Sequence, residues 1–124
     1  MSATTTITLL TTTSHGTAVG NYDGSSESFS SDKVKGDGYY GFADGVHTVQ
    51  TRVTNFVGTI KVQATLATTP TSTDWSDISN IITSDGSTAV TSGYMTNFTG
   101  NYVWVRISVS SFTSGTINLV QMGH

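Results

Sequence analysis

Residues 59–66 read Thr59-Ile60-Lys61-Val62-Gln63-Ala64-Thr65-Leu66, and residues 103–109 read Val103-Trp104-Val105-Arg106-Ile107-Ser108-Val109. In the first stretch Ile60, Val62, Ala64 and Leu66 fall on one side of a pleat, with Thr59, Lys61, Gln63 and Thr65 on the other. In the second, Val103, Val105, Ile107 and Val109 point inward while Trp104, Arg106 and Ser108 point away. A period of two over this length is that of a strand with one buried face. The stretch from Val46 to Val53 keeps the same phase through Val49 and Val53.

Composition extends this reading to the whole chain. Its 124 residues include 24 Thr and 17 Ser against four Leu and six Ala, a balance that suits half-exposed strands and turns and leaves little or no helix. The length fits one domain. Residues 1–13 are Thr-rich, with Ile7 and Leu9 in alternation, and read either as an edge strand or as an arm pairing with a neighbouring subunit. Residues 14–124 form the single β domain. Within it, residues 14–45 hold many Gly, Ser and Asp, but Tyr22, Phe29, Val34, Tyr39, Tyr40 and Phe42 are too apolar for a solvated linker. That segment is expected to be ordered loops between short strands.

An internal repeat joins the strand signals. Val53-Thr54-Asn55-Phe56-Val57-Gly58-Thr59-Ile60 returns, with one inserted residue, as Val109-Ser110-Ser111-Phe112-Thr113-Ser114-Gly115-Thr116-Ile117, and Thr96-Asn97-Phe98-Thr99-Gly100 echoes its middle. Each copy is expected to end one strand, place a Phe over the core, turn on a Gly and start the next strand. Two such units favour an antiparallel two-sheet β-sandwich, jelly-roll-like, over a solenoid.

Chemistry-bearing residues are sparse. There is no cysteine, hence no disulfide and no thiolate metal site. His15, His47 and His124 have no ligand spacing, and no G-x-S-x-G elbow is present. Asp37, Asp44, Asp74, Asp77 and Asp85 sit in turn-like contexts, where a carboxylate bonding the local backbone is preferred over calcium binding or glycosidase chemistry. No enzymatic activity, cofactor or metal is therefore expected. The net charge is −3, and Lys33, Lys35, Arg52, Lys61 and Arg106 never form a run, which speaks against a nucleic-acid partner. No secretion signal or run of about 18 apolar residues is present, so no membrane partner is expected and synthesis is placed in a cytoplasm. Asn97-Phe98-Thr99 is a formal glycosylation sequon read as a turn. Trp75, Trp104, Tyr39, Tyr40, Tyr94 and Tyr102 could together form a platform for sugar rings.

Three stretches then carry a resemblance: Tyr40-Gly41-Phe42-Ala43-Asp44-Gly45-Val46-His47-Thr48-Val49-Gln50; Phe56 through Pro70 with Asp74-Trp75-Ser76-Asp77-Ile78; and Gly100-Asn101-Tyr102-Val103-Trp104-Val105-Arg106-Ile107 followed by Phe112-Thr113-Ser114-Gly115-Thr116-Ile117. Over residues 39–122 the chain resembles virion structural proteins of tailed bacteriophages, especially those of marine cyanobacteria and other aquatic bacteria. The resemblance implies a non-enzymatic β-sandwich present in many copies on a virion assembled in the bacterial cytoplasm. Its expected partners are the major capsid protein or other virion proteins, together with further copies of itself in a closed oligomer, a trimer being favoured. The favoured role is a capsid decoration or cement protein, and the alternative is a neck, tail or fibre component that binds a host surface or glycan. Contacts are expected at Thr6, Ile7, Thr8 and Leu9 and at Trp104 and Arg106, with Tyr39, Tyr40 and Trp75 as ligand-facing aromatics.

Overall fold

A computed structural model describes residues 6–36, 39, 45–83 and 88–123. Every named element is a strand: β1 (Thr6–Leu10), β2 (Thr13–Ser14), β3 (Phe29–Ser30), β4 (Val34–Lys35), β5 (Val46–Thr65), β6 (Ser76–Thr83), β7 (Val90–Thr99) and β8 (Trp104–Gly123). The all-β, antiparallel class read from the alternating stretches is the class observed.

The spine is the antiparallel pair β5 and β8, twenty residues each, in register from Thr48 opposite Gly123 to Thr65 opposite Trp104. Along the free side of β8 run four short segments in succession. β1 pairs with Val120–Gly123, β2 with Thr116 and Ile117, β3 with Ser108 and Val109, and β4 with Trp104 and Val105. Between β3 and β4, Ser31 keeps the ladder going: its N–H donates to the Ile107 carbonyl, and its hydroxyl accepts from Ile107 N–H, both at 2.9 Å. Along the free side of β5, β7 covers Val46–Phe56 and β6 covers Thr59–Ala64. All eight strands thus belong to one continuous sheet, rather than to the two separate sheets expected.

The repeat explains how one sheet can enclose a core. Neither full copy ends a strand, as the sequence had suggested; each lies in the middle of a twenty-residue strand and bends it. Asn55 and Ser111, the residues immediately before Phe56 and Phe112, have φ of 51° and 53°, and the β5–β8 register slips three times between Arg52 and Thr59. Irregularities of this kind kink a strand and shift the parity of its inward side chains. In β5 the buried positions change from His47, Val49, Thr51 and Val53 to Phe56, Ile60, Val62 and Ala64. In β8 they change from Val105, Ile107 and Val109 to Phe112, Ile117, Val120 and Met122. The bulges therefore keep the same face of the sheet inward on both sides of the bend, and one contiguous core draws on both halves. Only the shorter echo behaves as expected: Phe98 is buried near the end of β7 and Gly100 follows the strand. The Asn97 sequon consequently lies in a strand, not a turn. Leu66, one residue past β5, is 70% exposed, so the inward alternation stops at Ala64.

Phe56 and Phe112 meet at the bend with ring centroids 5.5 Å apart, and Tyr22, Phe29 and His15 close around Phe112. Tyr22 is brought there by the 14–36 segment, its hydroxyl accepting from Gly16 N–H at 2.9 Å. The next residue, Asp23, turns the chain outward again. Its carboxylate accepts from Ser25 N–H and Ser26 N–H at 2.9 and 2.7 Å, and these bonds, Ser26 first, lower its pKa from 3.8 to about 2. A carboxylate whose pKa is depressed on folding stabilises above its unfolded pKa and ceases to do so as pH falls through the folded value. Between about pH 4 and 2 the melting temperature of Asp23→Asn is therefore expected to decline less steeply than that of the parent. Parallel slopes would show that the turn does not couple to global stability.

Leu9 and Leu10 at the end of β1 belong to the same core as the long strands. Thr6–Leu10 of the Thr-rich start pairs antiparallel with β8, and Leu9 is buried.

Candidate functional site

The outward face of the sheet differs between the two sides of the bend. On the side of β1 and β7 Arg52 is the one charged strand residue among those described, and Thr8, Gln121, Gln50 and Met95 lie in one row across four strands. On the side of β4 and β6 it gathers charge and aromatic rings. Four of the five cations lie there, although residues 33, 35, 61 and 106 are far apart in the chain.

Strand register makes that assembly. Gln63 stands opposite both Asp77 on β6 and Arg106 on β8, so three strands place three polar side chains in one row. Gln63 Nε2 donates to Asp77 Oδ1 at 2.9 Å, and Arg106 Nε donates to Gln63 Oε1 at 2.8 Å. Lys61 Nζ donates to Asp77 Oδ2 at 3.3 Å. The bond from Gln63, then that from Lys61, holds the Asp77 carboxyl below its usual pKa. Arg106 is steered by this row onto Trp75, its guanidinium carbon 4.4 Å from the ring centroid. Burial lowers the Arg106 pKa, and no carboxylate among the described residues comes within ion-pair distance of it.

Two pairs along, Trp104 stands between Lys35 and Thr65. Its indole N–H donates to the Thr68 carbonyl at 3.0 Å, tying the 66–75 loop onto the sheet. Lys33 Nζ lies 5.1 Å from the Trp104 ring, Tyr39 lies against the same ring at 5.2 Å, and Lys35 Nζ caps Tyr39 at 4.5 Å. Cation–π contacts of this sort are worth about 0.5–1 kcal/mol each at exposed positions. At the far end of the same loop, Asp74 accepts from Thr71 N–H at 2.7 Å and from its hydroxyl at 3.1 Å, shaping the turn that presents Trp75. Between this loop and residues 31–33 lies an open groove of about 300 Å³, with Asp32, Lys33, Thr71, Ser72, Trp75 and Arg106 on its walls.

The six aromatics do not form a single platform. Trp75, Trp104 and Tyr39 share the outer face, whereas Tyr94 and Tyr102 pack against the core. Tyr40 lies outside the described residues, as do Asp37, Asp44, Asp85 and His124. His47 is buried, stacked on Phe98 at 4.8 Å, with Nδ1 2.9 Å from the Gly45 carbonyl oxygen; His15 sits edge-on to Phe112. Thr6 and Thr8 are exposed on β1. The alternation of 103–109 already put Trp104 and Arg106 on one face, and that of 59–66 put Lys61 and Gln63 outward. What it lacked was the register joining the two strands, and so the row Asp77–Gln63–Arg106 was not visible. No family model, curated protein or solved structure matches the chain.

Proposed function

We propose that this chain is a non-catalytic structural module of a tailed-phage virion, assembling head to tail with further copies of itself and decorating the capsid exterior. The observation that carries the assembly part is the edge of β7. Its ten residues, Val90–Thr99, contain neither a charge nor a proline and pair, among the described residues, only with β5. Sheet proteins that remain monomeric usually blunt such an edge with lysine, proline, a bulge or a covering segment. Here the strand instead has an edge with no strand partner among the described residues and a Met95 side chain that is 69% exposed.

On the opposite side of the same half-sheet, β1 (Thr6–Leu10) is equally uncharged and pairs only with β8 among the described residues. Two neutral edges on one half-sheet suit addition of one copy's β7 to the next copy's β1, with Thr6 and Thr8 at the contact. Such an interface is heterologous and closes into a ring when the rotation between copies allows, a trimer being the closed form favoured. The virion context comes from the resemblance of the Phe56–Pro70 and Gly100–Ile107 stretches to tailed-phage structural proteins.

Sedimentation of the purified chain tests the ring. The parent is expected to run as a trimer, and Met95→Lys/Asn97→Lys, which sets charges along the β7 edge, as a folded monomer. A parent that stays monomeric at about 100 μM would sink the assembly reading, since a ring too weak to form there has a Kd above that range. Quantitative mass spectrometry of purified virions tests the location. Several hundred copies in simple ratio to the major capsid protein fit decoration; a few to some dozens would move the chain to the neck, tail or fibres, and none would remove it from the virion.

A further inference from the structure

We propose that the groove between the 66–75 loop and residues 31–33 binds one residue of an acidic sugar, a carboxylated pyranose such as a hexuronate, with Arg106 taking its carboxylate. The site stands apart from the neutral edges of the ring and does not depend on it.

Arg106 is the starting point. Its Nε is committed to Gln63 and its guanidinium carbon sits over the Trp75 ring, which leaves the two terminal nitrogens as the fork. A guanidinium held this way matches a carboxylate with two parallel hydrogen bonds, and loses little freedom when it does so. The row Asp77–Gln63–Arg106 resembles a positioning device more than an ion pair: the carboxylate that orients the arginine is one side chain removed from it and already serves Lys61. The cation is thus partly buried, with no carboxylate among the described residues within ion-pair distance, so an anionic ligand meets a guanidinium whose terminal nitrogens are not already paired to an acid.

The remaining walls choose among anions. Lys33 adds a second cation, yet Asp32 places a carboxylate in the same groove, one oxygen of which is held by Asn21 Nδ2 at 3.0 Å. That carboxylate disfavours the closely spaced charges of a phosphodiester chain more than the single charge of one sugar ring, and it accepts hydrogen bonds from sugar hydroxyls. The Thr71 and Ser72 hydroxyls extend the polar wall, and the Trp75 indole supplies an apolar surface for ring C–H groups. A volume of about 300 Å³ stands at the lower limit of small-molecule pockets and accommodates one sugar ring rather than several. One carboxylate, several hydroxyls and one apolar face on a single ring describe a uronic acid. A nucleic acid suits the groove less well, because the whole chain is net negative and the local cations are interrupted by Asp32.

The test uses the intact chain and its two tryptophans, whose indole N–H resonances separate the groove from its neighbour. Tetramers of galacturonate, glucuronate and mannuronate are titrated to about 10 mM, a range that captures weak single-ring binding. Saturable movement of the Trp75 signal with at least one of them is expected. The methyl ester of that tetramer, which lacks the charge, should bind at least tenfold more weakly, and so should Arg106→Lys, which keeps the charge but not the fork. Lys33→Gln, on the opposite wall, should weaken binding less than Arg106→Lys and lower the melting temperature only slightly, through loss of its exposed contact with the Trp104 ring. No saturable movement with any of the three, equal binding of the ester, or unchanged affinity in Arg106→Lys would each overturn the proposal. Tighter displacement of the Trp75 signal by oligo-dT would overturn it as well, in favour of a nucleic-acid site.

Discussion

Phe112→Ala is expected to lower the stability of the chain by about 3–5 kcal/mol, the range for removing a fully buried phenyl ring. Phe112 is wholly buried, and the rings of His15, Tyr22, Phe29 and Phe56 surround it at 5.3, 5.3, 6.1 and 5.5 Å. The cost depends on how far the surroundings can collapse into the space left behind. Here they have little freedom: Ser111 next to it is held at φ 53°, and Phe112 N–H is bound to the Glu27 carbonyl at 2.9 Å. The loss should therefore fall in the upper part of the range. Urea unfolding should show a lower midpoint with an unchanged slope, which would mean that stability and not the compactness of either state has moved. A loss below about 1 kcal/mol would mean that the ring cluster at the bend contributes no packing beyond ordinary surface burial.

The second large effect belongs to a glycine. Gly115 has φ 91°, and a Cβ placed on it would overlap the Asn55 carbonyl and come within 2.6 Å of Phe56 Cα. Both obstacles are backbone of the opposite bent strand, so no rotamer change can relieve them. Gly115→Ala should cost about 3 kcal/mol or more, the backbone conformation alone accounting for about 1–3. Two other glycines separate the contributions. Gly16 has a similar φ of 90° but open space around it, so Gly16→Ala should cost only the conformational part. Gly93 has no such φ and nothing nearer than 3.8 Å, so Gly93→Ala should be close to neutral. Calorimetric melting temperatures in the order Gly93→Ala, Gly16→Ala, Gly115→Ala, from highest to lowest, are the expected result. If Gly115→Ala melts with Gly16→Ala, the close approach of the two bends is looser than described.

These two residues also show where the sequence was legible and where it was not. Alternation identified the buried positions Ile60, Val62, Ala64, Val105, Ile107 and Val109 because a period of two is a local property that burial on one face imposes directly. The repeat was visible too, with its Phe and Gly, but its meaning was not. A strand–Phe–Gly–strand pattern is the same in sequence whether the chain reverses there or bends and continues. Pairing decides between the two, and pairing depends on Thr48 finding Gly123, far away in the chain. For the same reason Arg106 was recognisable as outward-facing, whereas its partner Gln63 and the Asp77 behind it were not: their neighbourhood is created by register, which no short window contains.

The dependence on β8 has a consequence for how the protein comes into being. Among the described residues β1, β2, β3 and β4 each pair with β8 alone, and β5 takes its longest partner from the same strand. During translation, then, the first third of the chain emerges before any of its partners exist. It must wait, unpaired and rich in threonine and serine, until residues 104–123 leave the ribosome. A protein built this way cannot fold from its beginning onward; it closes in one late step, when a single strand supplies the missing side of five others. Contacts between residues so distant in sequence form slowly. Of the buried apolar core the early segments supply Leu9, Leu10 and Tyr22, so most of the core arrives with the later strands and the waiting chain holds back only a small part of it.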